Sequence, residues 1–273
     1  MDSVLENYLA RLRAAGLEFR VADDLQRRAD AIGLGGREEE RSDRVAWEGV
    51  GELRERAFPG ARVGADHASH DVAAALARRA SDLRGRRLLE LGCGSGMVAV
   101  VAARLGAEVT AVDLDERAVR LTLENARANE VALEVRQGDL LEPVLEGASF
   151  DWIVANLPHK PGVGAEGLPL AQAGGEDGAE VWERALPGIE RLAPPGARLV
   201  FFMHSLPAPR LLRRIATTFA LELVAWKLRR LEVDEYEGLR ERFRARHEAG
   251  TSYLHHDDVG EALVAATWIG VRR

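Results

Sequence analysis

One stretch constrains this 273-residue chain more than any other: Arg87 to Gly96, RLLELGCGSG. An apolar run, Leu88, Leu89 and Leu91, ends in glycines at alternate positions, Gly92, Gly94 and Gly96. A helical pattern follows, with Met97, Val98, Val101, Ala102 and Leu105 on one side. Strand, glycine turn, helix lets backbone approach a ligand closely where a helix N-terminus offers N–H groups. The chain is therefore expected to be an α/β protein with a nucleotide-type pocket at the end of that strand.

The alternation continues downstream. Strands are expected at Arg87–Gly92, Glu108–Asp113, Leu133–Arg136, Phe150–Ala155, Ala197–Met203, Leu221–Leu228 and Ala262–Val271. Helices fall between them, with one at Glu116–Asn129 and another at Ala179–Leu192 that Pro187 interrupts. Strands alternating with helices imply a parallel sheet with right-handed crossovers, whose ligands gather at the carboxyl ends of the strands. Glu90, Gly92, Asp113, Asp139 and Asn156 all lie at or near such ends.

Upstream, residues 2–58 read as helical. Asp2 or Ser3 caps a helix carrying Leu5, Tyr8, Leu9 and Leu12 on one face, a second spans Asp23 to Ile32, and Ser42 caps a third with Val45, Val50, Leu53 and Ala57 aligned. Phe58-Pro59-Gly60 then turns the chain. Residues 1–60 are thus expected to form a helical N-terminal segment, either a substrate-recognition unit or a brace. Residues 61–273 form the main domain, and 234–261 are a candidate lid insertion.

Composition excludes several classes. The net charge of −7 argues against broad electrostatic binding to nucleic acid or an anionic membrane. Cys93 is the only cysteine, so there is no intramolecular disulfide and no zinc–thiolate site. The N-terminus does not read as a signal peptide and no apolar run is long enough to span a membrane, which points to the cytoplasm.

The pocket itself rejects the common nucleotides. A dinucleotide fingerprint needs glycine or alanine where Met97 stands, and no Lys-Ser or Lys-Thr pair follows the loop as in a P-loop. Glu90, two residues before the first glycine, suits a cationic ligand better than a pyrophosphate.

LELGCGSG, followed by AVDLD and then by QGD, resembles the class I S-adenosylmethionine-dependent methyltransferases over roughly residues 61–273. The resemblance implies a Rossmann-like core, a mostly parallel seven-stranded sheet with an antiparallel last strand, and S-adenosylmethionine as cofactor. It implies that Gly92, Cys93, Gly94 and Gly96 form the turn receiving the methionine part, with Glu90 orienting it. Asp113 would accept from both ribose hydroxyls, as a two-oxygen carboxylate suits a vicinal diol. Leu114 would flank the adenine, and Asp139, with Leu140 beside it, would accept from the adenine amino group.

Asn156-Leu157-Pro158-His159 resembles the Asn-Pro-Pro-Tyr type motif of amino-group methyltransferases, the release-factor glutamine type among them. In that family the Asn amide oxygen and the next carbonyl accept from the target nitrogen and aim its lone pair at the methyl group. Leu157 replaces the first proline, Pro158 stiffens the turn, and His159 replaces the stacking aromatic. Gly174, Gly175, Asp177 and Gly178 match a Gly-Gly-x-Asp-Gly segment of the same relatives. The resemblance favours nitrogen over oxygen or carbon without naming the acceptor.

Other residues take plainer readings. Asp66-His67 and His70-Asp71 have metal-ligand spacing but read as a solvated helix start, and His255–Asp258 reads as a loop before the last strand; no metal is expected. His204 ends strand five at the pocket mouth, where it and Lys160 are candidates to touch substrate. Arg240–His247, with glutamates interleaved, reads as a salt-bridged exposed helix or as part of the lid. Three functions follow: an N-methyltransferase acting on a small molecule, peptide or protein; an RNA base N-methyltransferase; or a non-catalytic nucleoside-binding scaffold. Homo-oligomerisation is left open.

Overall fold

The computed structural model describes residues 2–32, 44–56, 66–144, 147–162, 171–232 and 236–273. The turn at 58–60, the glycines at 33–36 and the cap at Ser42 lie outside the described residues. So does much of the glycine-rich loop after Lys160.

Seven strands form the central sheet: β5 (Arg87–Leu91), β6 (Glu108–Asp113), β7 (Glu134–Gln137), β8 (Trp152–Ala155), β9 (Arg198–His204), β10 (Phe219–Arg230) and β12 (Gly260–Arg272). Their spatial order is β10-β12-β9-β8-β5-β6-β7. The β9-β8-β5-β6-β7 run is parallel, and β12 is antiparallel to both its neighbours. The expected mostly parallel sheet with an antiparallel last strand is therefore present. β11 (His255–Asp257) pairs with β12 as a hairpin where a loop was expected, and Asp257 holds Arg230 through two hydrogen bonds of 2.6 and 2.8 Å.

Alternation along the strands builds two cores. Leu89, Leu91, Ile153, Phe201 and Met203 face one side, covered by α1 (Ser3–Ala14), α6 (Glu180–Leu192) and α7 (Pro209–Ala216). Leu88, Trp152, Val154, Val200 and Phe202 face the other, covered by α2 (His67–Ala77), α4 (Met97–Arg104) and α5 (Glu116–Ala128). A strand's period of two sends neighbours to opposite faces, so β5 and β8, covered on both, read as unbroken apolar runs. Pro187 lies inside a continuous α6 rather than interrupting it. It is exposed, so the carbonyl one turn back that loses its partner can face water.

The N-terminal segment departs from expectation. Among the described residues of this segment only α1 is helical; Arg20–Arg27 is strand β1, parallel to β10 at the sheet edge. β2 (Ala31–Ile32) also pairs with β10, and β3 (Arg44–Trp47) and β4 (Gly51–Arg54) form a separate hairpin. Gly49 and Gly51 take φ of 75° and 96°, which turn the chain where a helix would need continuous αR backbone. β1 ends the sheet with β10 as its strand neighbour, an edge position that accommodates its charged residues.

The segment 234–261 carries α8 (Arg240–Glu248). Phe243 is buried with Leu206, Leu239, Leu254 and Leu263 in a small third cluster. Two of the helix's arginines, Arg240 and Arg244, pair with Glu261 on β12, Arg244 at 2.6 Å. Among the described residues no helix is long and apolar enough to cross a membrane.

Candidate active site

The carboxyl ends of β5, β6, β8 and β9 bring the glycine turn, Asp113, Asn156 and His204 to one edge of the sheet. Gly92, Gly94 and Gly96 all have φ between 57° and 72°, the left-handed region. A side chain at Gly96 would collide with Thr122 at 2.4 Å, whereas at Gly94 nothing lies within 4 Å. Gly96 is thus required by packing, and Gly94 opens space above the turn.

The turn offers fewer free donors than its sequence suggests. The N–H groups of Gly92 and Cys93 donate to the Val112 carbonyl, Gly96 donates to the Cys93 carbonyl, and Gly94 donates to Asp113 Oδ2 at 2.8 Å. Asp115 N–H donates to Asp113 Oδ1 at 2.9 Å. Each Asp113 oxygen therefore keeps one lone-pair direction for a ligand. Cys93 is buried with its Sγ against the Thr122 hydroxyl, so only its backbone borders the turn.

Glu90 is buried beneath the turn. Gly96 at the N-cap of α4 has no side chain to cap it, and Glu90 accepts from the Ala99 N–H instead. Its other oxygen, Oε2, is buried without a partner. Burial, opposed by the Ala99 hydrogen bond and aided by the Asp113 charge, raises its pKa to about 8. A cation brought to Oε2 would restore the carboxylate.

Leu114 stands 60% exposed, an apolar side chain with an open face beside Asp113. Asp139 is half-buried and paired with Arg184 of α6. Leu140 takes φ of 50° and packs its side chain on the core.

Asn156 is half-buried, and its side-chain amide makes no hydrogen bond among the described residues. It lines a cavity of about 60 Å³ together with Asp66, His67, His159, Lys160 and His204. Leu157 is buried, and its carbonyl is engaged by His159 Nδ1 at 2.7 Å. His159 does not stack outward; it turns inward onto His204. The glycine segment explains how the turn is held. A side chain at Gly174 would meet the His159 Cα at 2.8 Å, and one at Gly178 its carbonyl oxygen at 2.5 Å. Backbone bonds from Lys160 to Gln172 and from Gly174 to Lys160 lock the two segments together.

Lys160, buried, donates to Gln172 at 2.8 Å and to the Tyr236 hydroxyl at 2.6 Å. Asp66 and His67 are not a solvated helix start. Asp66 caps α2 by accepting from the Ser69 N–H at 2.9 Å, and His67 packs edge-on to Phe202 and His204. Asp71 is buried and pairs with Lys227 at 2.7 Å, while His70 stacks on Trp47. Burial holds three histidines neutral: His67 at about 3, His159 at about 4, and His204 well below its ordinary value. Sequence reasoning missed His67 and Gln172, whose spacing from Asn156 carries no signal.

From the other side, Asn125 of α5 donates to the Ser95 carbonyl at 2.8 Å and accepts from the Arg56 N–H at 2.8 Å. Asn129 pairs with both backbone groups of Arg54. The segment after β4 is thereby tied to the glycine turn.

The methyltransferase small domain family model matches residues 61–173, and these residues carry the glycine turn, Asp113 and Asn156 on the sheet just described. Residues 61–173, the part that holds the glycine turn and Asn156, are thus similar to the methyltransferase small domain. Over 94 residues the chain is 44% identical to the ribosomal protein L11 methyltransferase of Alkaliphilus metalliredigens, covering 33% of this chain and 29% of that protein. The Thermotoga neapolitana protein of the same name is 47% identical over 75 residues, 27% of this chain and 28% of its own. The chain thus spans less than a third of the length of these curated relatives. Among solved structures, the T. thermophilus 16S rRNA N2 G1207 methyltransferase RsmC, in complex with AdoMet and guanosine, superposes with a TM-score of 0.56 at 21% identity. The match covers 84% of this chain and 50% of that one. YcgJ of Bacillus subtilis gives 0.52 at 15%, covering 75% of this chain and 99% of its own. These two share the fold of this sheet and its helices.

The residues around the glycine turn fit S-adenosylmethionine. Glu90 Oε2 is a buried oxygen lacking a partner, Gly94 is open above, Asp113 keeps two acceptor directions and Leu114 has a bare apolar face. Together they suit a cationic nucleoside.

Proposed function

We propose that the chain transfers the methyl group of S-adenosylmethionine to a nitrogen on a protein, peptide or small molecule. The observation that carries this is the uncommitted amide of Asn156 at the mouth of the 60 Å³ cavity, beside the glycine turn. Bound there, the cofactor supplies an electrophilic methyl group. Asp113 takes the ribose hydroxyls, Glu90 faces the ammonium, Leu114 flanks the adenine, and Asp139, with Leu140 beside it, meets the adenine amino group. Asn156 Oδ1 accepts from the target nitrogen and fixes its direction of attack, while the Leu157 carbonyl, engaged by His159, holds the turn; this is positioning rather than bond-making.

The cavity's size supports the end of a side chain as the acceptor. At about 60 Å³ it is far below the several hundred Å³ typical of pockets for whole ligands. The named activity of the curated relatives, on a ribosomal protein, agrees with a protein acceptor. The acidic balance of the chain disfavours RNA.

Methyl-tritiated cofactor, incubated separately with recombinant ribosomal protein L11, a set of small amines and amides, and ribosomal RNA, tests the reading. Label is expected on nitrogen in the first or second; label on RNA alone, or on oxygen or carbon, overturns it. Two variants separate the roles. Asp113→Ala should weaken binding of S-adenosylhomocysteine about tenfold or more, the worth of hydrogen bonds to a charged group. Asn156→Ala should keep that affinity and lose on the order of 100-fold in transfer. Unchanged turnover removes Asn156 from the mechanism.

A further inference from the structure

The three histidines behind Asn156 have a hydrogen-bond order that their geometry fixes. His159 Nδ1 lies 2.7 Å from the Leu157 carbonyl oxygen. A carbonyl only accepts, so Nδ1 carries the hydrogen and Nε2 the lone pair. The His204 backbone N–H donates to that lone pair at 3.0 Å. His204 Nδ1 is also 3.0 Å from it, a contact that is attractive only with a hydrogen on Nδ1. The remaining nitrogen, His204 Nε2, is left as a bare acceptor. It is buried without a partner, on a side chain 5% exposed, and the residue lines the same cavity as Asn156. An unmet buried acceptor is costly unless a ligand meets it.

We propose that His204 is a catalytic residue on the acceptor side: its Nε2 accepts an N–H of the target nitrogen opposite Asn156 and takes the proton that methyl transfer displaces. This rests on the nitrogen-methylation reading above. As the nitrogen lone pair bonds to the methyl carbon, the carbon–sulfur bond breaks with its pair going to sulfur. The nitrogen then carries one hydrogen too many, and that proton passes to His204 Nε2. The line His204 Nδ1–H to His159 Nε2, and His159 Nδ1–H to the Leu157 carbonyl, orients the ring and steadies the imidazolium. His159 is a positioning residue in this scheme, which gives a reason for histidine where an aromatic was expected.

The charges around His204 fit the role. Burial first, then Lys160, His159, His67 and Arg229, keep it neutral. The lone pair is therefore present at neutral pH, and the same surroundings return the proton to water after transfer. They also disfavour an acceptor arriving as an ammonium ion, so the group that enters is uncharged.

The test uses the full chain labelled with ¹⁵N-histidine, saturated with S-adenosylhomocysteine, with formamide as a probe that carries two N–H donors. His204, assigned by its loss in His204→Gln, should show hydrogen on Nδ1 and an unprotonated Nε2 whose resonance moves as formamide is added. Dimethylformamide, with no N–H, should leave it in place. Hydrogen on Nε2, no movement, or equal movement with both probes overturns the proposal. Failure of S-adenosylhomocysteine to bind is a separate result and falls on the donor reading instead. His159→Phe keeps a ring and removes the lone pair; His204 should then lose its tautomer preference, and an unchanged preference removes His159 from the scheme. On the acceptor found by tritium labelling, His204→Gln should lower kcat at least tenfold with little change in KM and lose the acidic limb of the kcat profile. Unchanged kcat eliminates the proton step.

Discussion

Glu90 shows how one side chain serves the fold and the ligand at once. One oxygen caps α4, whose own N-cap is a glycine, and the other is left buried and unmet. A carboxyl held protonated up to about pH 8 must lose its proton if a cation settles against it. Binding of S-adenosylhomocysteine at pH 7 should therefore release close to one proton, measured by calorimetry in buffers of differing ionisation enthalpy. Glu90→Gln should bind more weakly and release none; equal release from both proteins would place the proton elsewhere. The resemblance drawn from sequence gives Glu90 its ligand role, but its capping role depends on the depth at which the strand ends, which no local pattern encodes.

Among the elements, the glycine segment 174–178 is the most constrained. Gly178 has φ of 82° and its missing side chain leaves room for the His159 carbonyl. Gly178→Ala should cost about 1–3 kcal/mol from backbone strain alone, read by urea denaturation. It should also move the Asn156 turn, so that methyl transfer falls more than cofactor affinity; a stable, fully active variant would contradict the clamp. The central strands were legible because each carries its own apolar run and ends in a chemical signature: LELGCGSG, AVDLD, QGD, FDWIVANLPH. β1 and the β3–β4 hairpin were not. The charges of β1 suit an edge strand but look helical in isolation, and Val45, Val50 and Leu53 imitate a helical stripe although Gly49 and Gly51 mark the turn. Asp71 and His67 looked solvated because their covers, Lys227 and Phe202, are far away in sequence.

For the molecule as a whole, the buried titratable groups pull in opposite directions. His67, His159 and His204 have pKa values lowered from 6.5, so their neutral burial contributes stability that is lost as pH falls below about 6.5. Glu90 is raised from 4.5 to about 8, so its contribution is full below 4.5 and is lost as pH rises through 8. From these four groups stability should peak near pH 6.5, and Glu90→Gln should flatten the decline between 6.5 and 8. Denaturation midpoints from pH 5 to 9 check this, and an unaltered alkaline limb would refute it. The strand at the sheet's edge has a temporal consequence. Arg20 pairs with Glu222, so during synthesis the ribosome releases β1 roughly 200 residues, on the order of 10–40 s at ordinary elongation rates, before its partner exists. β1, made well before β10, is therefore among the last strands to dock, and pulsed hydrogen exchange should find the amides of residues 20–27 gaining protection after those of β5 and β8.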